Sequence, residues 1–186
     1  MIGEDSLAPT LLLAMPQMQD PNFARSVVLL CRHEDDGAMG LIVNRRTDTR
    51  VTSIAVLDPP PARDNGLEVW IGGPVDPQRA WLLLGYDPGT RGSFEVGHGL
   101  YLSASAGTLR QVIESEGGET AAQRFLLGYA GWGGGQLESE LAASAWLTAD
   151  VSKSLIFETP ADEMWQAAIR SLGIDPYALQ MGSGVH

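Results

Sequence analysis

The sequence predicts an α/β or α+β protein built as one domain. Short apolar runs at residues 25–31 and 38–44 are bounded by turn residues, the mark of strands. Two segments, 105–116 and 159–173, carry apolar residues at helical spacing behind a capping residue. Between them the apolar run 125–127 leads into Gly128-Tyr129-Ala130-Gly131-Trp132-Gly133-Gly134-Gly135 and on to the helix-like stretch 136–147. That order reads as strand, tight turn and helix, with glycine required for positive φ or for the close approach of another backbone or a ligand.

Residues 1–9 are polar and small and are expected to fray, as is the 182–186 tail. Residues 10–15 are apolar and end at Pro16, which cannot donate to a continuing ladder. Asp20-Pro21-Asn22 marks a turn-rich loop. The runs 25–31 and 38–44 form a hairpin around Asp36-Gly37, and the unbroken apolar stretches 27–30 and 41–43 call for strands covered on both faces. Residues 45–50 are polar, and 51–57 read as a short helix or an irregular apolar segment. The proline run 59–61 that follows is a surface excursion rather than a domain boundary in so short a chain.

Residues 67–71 read as a strand entering Gly72-Gly73-Pro74, and 80–84 as the next, with Asp76-Pro77-Gln78 able to start one helical turn between them. Two short strands follow at 94–96 and 100–103. Ser105 caps a helix whose Leu109, Val112 and Ile113 share a face, ended by Gly117-Gly118. The apolar run 154–157 reads as the last strand. Thr159 then caps a helix with Pro160 at its first position and with Trp165, Ile169 and Leu172 on one face; Gly173 ends it.

Charge and cysteine content exclude several classes. Of the 186 residues, 12 are basic and 23 acidic, for a formal charge of −11 and a pI near 4.5. Such a field repels phosphate backbones, so a nucleic-acid partner needs a local positive patch. Along the sequence only Arg45, Arg46 and Arg50 cluster, and Asp48 interrupts them. An apolar fraction of 44% with five tryptophans argues against a disordered chain. Cys31 is the only cysteine, which rules out an intrachain disulfide. No basic segment leads into a long hydrophobic run, and no run approaches the ~20 residues of a membrane span. Cytoplasmic residence is the expectation, with a periplasmic protein that has lost its signal as the alternative.

The residue order resembles a bacterial family called YqgE or AlgH, an uncharacterised family sometimes labelled as transcriptional regulators. The likeness rests on Ala14-Met15-Pro16 with Asp20-Pro21-Asn22-Phe23, on the segment 37–44 (GAMGLIVN), on Gly72-Gly73-Pro74-Val75, on 128–135 with Gln136-Leu137-Glu138, and on Trp146-Leu147. It spans roughly residues 11–176. It implies one domain with an ordered core near 10–176, a mixed and strongly bent sheet resembling an incomplete barrel, and helices packed outside. It implies no established reaction and no catalytic residue. The Gly and His often found after the family's Gly-Gly-Pro-Val segment are missing near 80–84.

Individual residues give little chemistry. Gly131, Gly133, Gly134 and Gly135 could form an anion nest at a helix start, but the Lys-Ser/Thr ending of a P-loop is absent, and packing is the simpler reading. Gly72-Gly73-Pro74 could meet that turn in a shared cleft. Cys31 and His33 could lie on one side of a strand end, yet a catalytic thiolate needs oxyanion donors and a third member that the sequence does not supply. His33-Glu34-Asp35-Asp36 has ligand atoms without the spacing of a metal site. Glu138 and Glu140 face different directions on a helix. No catalytic residue, metal or cofactor is assigned.

The leading expectation is a non-enzymatic protein-interaction or indirect regulatory factor with an unidentified protein partner. Its groove would draw on Asn44, Gly72, Gly73, Pro74, Tyr129, Trp132, Gly133, Gly134, Gly135, Gln136 and Glu138. The alternatives are a small-molecule or anion-binding enzyme using the same glycine-rich cleft, and direct DNA binding through Arg45, Arg46 and Arg50, which the total charge opposes. A homodimer is compatible with the sequence, and a membrane partner is not expected.

Overall fold

The computed structural model describes residues 6–182 and shows a mixed, curled sheet forming a half-barrel, with helices on its faces. The strands are β1 (Thr10–Ala14), β2 (Val27–Glu34), β3 (Gly37–Ile42), β4 (Arg46–Arg50), β5 (Glu68–Ile71), β6 (Val75–Leu84), β7 (Phe94–Gly97), β8 (Leu100–Ser103), β9 (Gln123–Gly133) and β10 (Trp146–Ala149). The helices are α1 (Ala106–Glu114), α2 (Gln136–Ala142), α3 (Lys153–Glu158), α4 (Met164–Ser171) and α5 (Pro176–Gly182). The main path runs β10-β1-β2-β3-β9-β6-β8-β7, with β4 on β5 and β5 parallel to β9.

Strand alternation sorts the core. Leu11, Leu13, Val27 and Leu29 face a cluster closed by Ile156 and Phe157 of α3 and Met164, Trp165, Ala168 and Ile169 of α4. Their neighbours Leu12, Ala14, Val28 and Leu30 face the opposite way, against Trp132, Trp146 and Leu137 of α2. At the far end α1 buries Leu109, Val112 and Ile113 on Leu82, Leu84 and Phe125. Residues 27–30 are therefore buried on both faces, as their unbroken apolar run requires.

β9 is the spine, and three glycines set how the chain passes it. β5 lies on one side of β9, pairing Ile71 with Leu127, and β6 lies on the other, pairing Val75 with Tyr129. Only Gly72, Gly73 and Pro74 connect them, so the chain steps over the β9 backbone between those registers. Gly72 N donates to Leu127 O at 2.7 Å, and its own carbonyl accepts from Ile42 N at 2.7 Å. A Cβ on Gly72 would overlap the Gly128 carbonyl, one on Gly73 the Tyr129 carbonyl and Ala130 nitrogen, and one on Gly128 the Gly73 carbonyl. The glycines let two backbones touch where side chains would hold them apart.

Several local expectations are corrected. Residues 128–133 are not a turn but the second half of β9, and only Gly134-Gly135 turns into α2. α2 ends at Ala142 rather than 147, because Ser144 adopts a left-handed φ of 58° and Trp146 begins β10. The run 154–157 is α3 rather than a strand; Ser152 Oγ accepts from Leu155 N and caps it. Residues 76–78 belong to β6 as an irregular ladder segment and start no helix. Residues 46–50, read as merely polar, form β4. The hairpin turn falls on Asp35-Asp36, with Gly37 already paired to Glu34. Before α4 comes a 3₁₀ turn at Ala161–Glu163 without a side-chain cap, so Thr159 does not cap there. The fraying expected of 1–9 does not extend to Leu7, whose N–H donates to His33 Nδ1 at 3.1 Å, while the expectations for residues 1–5 and 183–186 lie outside the described residues.

Candidate functional site

A groove of about 850 Å³ lies beside the glycine crossing. Its walls come from the loop between β1 and β2, the end of β3 and start of β4, the crossing itself, and the approach to α4. Arg25, Arg45 and Arg46 line it, which concentrates positive charge in a chain of net −11. Sequence spacing brings Arg45 and Arg46 together, but Arg25 arrives only through the fold, and Arg50, at the far end of β4, is not among the lining residues.

Arg25 is held in place. Its φ is 56°, left-handed for a long side chain, and a non-glycine residue there needs support from its surroundings. Asn44 supplies part of that support: its Nδ2 donates to Arg25 O at 3.0 Å and its Oδ1 accepts from Val27 N at 2.9 Å. Arg45 Nη2 donates to Ala24 O at 2.6 Å. The guanidinium of Arg25 lies 5.3 Å from the ring centroid of Trp165, a cation–π contact between two residues of the groove wall.

Arg46 forks onto Glu68, with Nε to Oε2 at 3.3 Å and Nη2 to Oε1 at 3.2 Å. Burial lowers the Arg45 guanidinium from its ordinary value, yet an arginine stays charged at any neutral pH. Among the described lining residues Asp162 is the one carboxylate, and none is a histidine, cysteine, lysine or hydroxyl side chain. The wall therefore holds charge and shape but little that could exchange a proton or attack a substrate.

The predicted site residues do not share one place. Asn44, Gly73 and Pro74 line the groove, and Gly72 lies immediately beside Gly73 in the crossing. Tyr129 packs against the α3–α4 cluster, and Trp132 sits in the opposite core with its ring 6.0 Å from Trp146, edge to face. Gly133 N donates to Gln136 Oε1 at 3.0 Å, Gly134 passes against the backbone of Asp35 and Asp36, and Gly135 has a φ of 78° at the start of α2. The cleft expected between Gly72-Gly73-Pro74 and 131–135 is not formed: the approach is to 128–130, and backbone fills it.

Glu138 belongs to a third grouping. His33 Nδ1 accepts from Leu7 N, so in the neutral ring Nε2 carries the hydrogen that goes to Glu138 Oε1. That bond is the main reason the Glu138 carboxyl lies below the usual carboxylate range. His33 is thus turned away from Cys31. A register shift between Leu30 and Arg32 interrupts the alternation, leaving Cys31 against the α3–α4 cluster while His33 reaches α2. Burial pushes the Cys31 thiol up to about 12, which keeps it protonated and unreactive at neutral pH. Among the described residues no group of three or more His, Cys, Asp or Glu could hold a metal ion, and no helix is long and apolar enough to cross a membrane.

Sequence reasoning missed Arg25, Trp165 and Asp162 as groove residues. The available signal was Asn44 after a largely buried strand, since an asparagine there needs backbone partners, but it does not say that the partner is Arg25.

A family model described as AlgH-like matches residues 11–177. A UPF0301 protein of Myxococcus xanthus is 40% identical over 97% of this chain and 99% of its own length. A UPF0301 protein of Ruegeria pomeroyi is 41% identical over 96% and 98%. The solution structure of AlgH from Pseudomonas aeruginosa superposes with a TM-score of 0.73 at 34% identity, covering 96% of each chain. A Corynebacterium diphtheriae protein at 22% identity superposes with a TM-score of 0.73 over 96% of this chain and 93% of that one, a likeness of fold alone.

Proposed function

The chain belongs to the AlgH-like family, and from that footing we propose that it is a non-catalytic binding protein that takes an anionic partner in the Arg25–Arg45–Arg46 groove. The observation that carries this reading is Arg25 itself. A left-handed arginine costs on the order of 1 kcal/mol or more, and strain of this kind persists where the surroundings over-determine it. Here the backbone is clamped by Asn44 and Arg45, and the side chain is laid on Trp165 facing an open cavity.

Binding is favoured over catalysis by the lining chemistry. General acid–base work needs a proton-exchanging group with an orienting partner, and nucleophilic work needs an activated hydroxyl, thiol or amine. The groove offers Asp162 and guanidinium groups instead. Direct DNA binding is disfavoured by the net charge of −11. Any effect on transcription would then run through the bound partner.

The test uses Arg25→Asn. Asparagine tolerates the left-handed region, so this variant removes the charge while easing the backbone. The protein is titrated calorimetrically at low salt with a glutamate-rich peptide, inorganic pyrophosphate and oligothymidylate in turn. At least one is expected to bind saturably to the native chain and about tenfold or more weakly to R25N. The variant's melting temperature should stay within roughly 2–4 °C, equivalent to about 1 kcal/mol in a domain of this size. Equal affinity for both proteins, or no binding by any probe, contradicts the reading.

A further inference from the structure

Resting on that reading of the groove, we infer that its occupant is an extended, carboxylate-bearing polypeptide segment of a partner protein rather than a phosphate ligand. The arginines alone do not choose, since a guanidinium fork matches carboxylate and phosphate equally. The rest of the wall does.

The first discriminating feature is net local charge. Glu68 is already forked onto Arg46, and Asp162 lines the same cavity, so two carboxylates offset two of the three arginines. What remains suits single carboxylates spaced along a chain. It suits a phosphate dianion or a phosphate polymer poorly.

The second feature is what the backbone can donate. Phosphate cradles are made from convergent main-chain N–H groups, usually with lysine or hydroxyl support. Pro21, Pro74 and Pro160 stand in three separate wall segments and carry no N–H. Lysine, serine and threonine are not among the described lining residues.

The third feature is the apolar share of the wall. Ile71, 39% exposed, and the exposed Pro21, Pro74 and Pro160 present apolar surface in the groove, with Ile42 and Trp165 buried beneath them. Apolar residues between acidic ones would find surface there, while Asp162 and the side-chain amides of Asn22 and Gln166 can bond the amides and carbonyls of an extended chain.

The experiment compares a capped peptide of glutamates interspersed with leucine, the same peptide with every glutamate replaced by glutamine, inorganic pyrophosphate and oligothymidylate. Each is titrated into the full chain and into R25N. The inference expects saturable binding of the glutamate peptide, a loss of about tenfold or more both for the glutamine peptide and for R25N, and no competition by pyrophosphate or oligothymidylate. If pyrophosphate or the oligonucleotide binds in an Arg25-dependent way and the peptide does not, the inference falls while the anion-binding reading stands. If the peptide binds R25N as well as the native chain, or if no probe binds, both fall.

Discussion

Gly73→Ala is expected to destabilise the fold by about 3–5 kcal/mol, enough to unfold a marginally stable domain outright. The added methyl would enter space occupied by the Tyr129 carbonyl and Ala130 nitrogen. Overpacking usually costs about 1–3 kcal/mol because side chains shift to absorb it. Here the obstacles are backbone atoms of β9, the strand on which β3, β5 and β6 all pair, so relief would break ladder hydrogen bonds. Gly128→Ala should behave alike, since it meets the Gly73 carbonyl from the other side and also sits at a φ of 77°. Gly135→Ala is the control. Its φ of 78° carries the same penalty, but nothing lies within 4 Å of a Cβ there, so the loss should be near 1 kcal/mol. Urea denaturation of the three variants checks this, and equal losses would show that backbone contact at the crossing is not what excludes a side chain.

Arg124→Met should cost about 2–4 kcal/mol, and Arg124→Lys should not restore the loss. Arg124 is only 5% exposed, on β9. Its Nη1 donates to Gln123 O at 2.8 Å and its Nη2 to Phe157 O at 2.9 Å, while the guanidinium lies 4.8 Å from the Trp70 ring centroid and 5.4 Å from that of Phe157. Methionine fills the same volume but leaves the buried Phe157 carbonyl without this donor, at about 1–3 kcal/mol, and forfeits the cation–π contacts. Lysine keeps the charge but cannot lie flat between two rings while reaching two carbonyls. Because Phe157 closes α3, the loss should also appear as faster amide exchange in α3. Exchange in α3 that matches the native protein would contradict this role.

The residues differ in how much they disclose alone. α1 was legible because Ser105 and the face of Leu109, Val112 and Ile113 are local signals, and Ser105 Oγ indeed accepts from Gly107 N and Thr108 N. The hairpin of β2 and β3 was legible for the same reason. α3 was not, because a short apolar run such as Leu155-Ile156-Phe157 suits a buried strand equally well until Ser152 is recognised as its cap. Residues 128–133 were misread because glycine in a strand looks like a turn unless the crossing segment 72–74, more than fifty positions away, is known to need the space. The groove was half legible. Asn44, Gly73 and Pro74 were marked for their composition, whereas Arg25 and Trp165 meet only after β2 and α4 pack on the same sheet.

The central claim concerns where the ligand binds, and backbone amide chemical-shift mapping by NMR addresses it most directly. The isotope-labelled chain is titrated with the glutamate–leucine peptide at low salt, and the shifts are followed residue by residue. The account predicts saturable changes centred on Arg25, Asn44, Arg45, Gly73 and Trp165, with residues 132–138 unmoved. Changes centred on Trp132–Glu138 with the groove silent would place the functional surface at the turn before α2 and contradict the account.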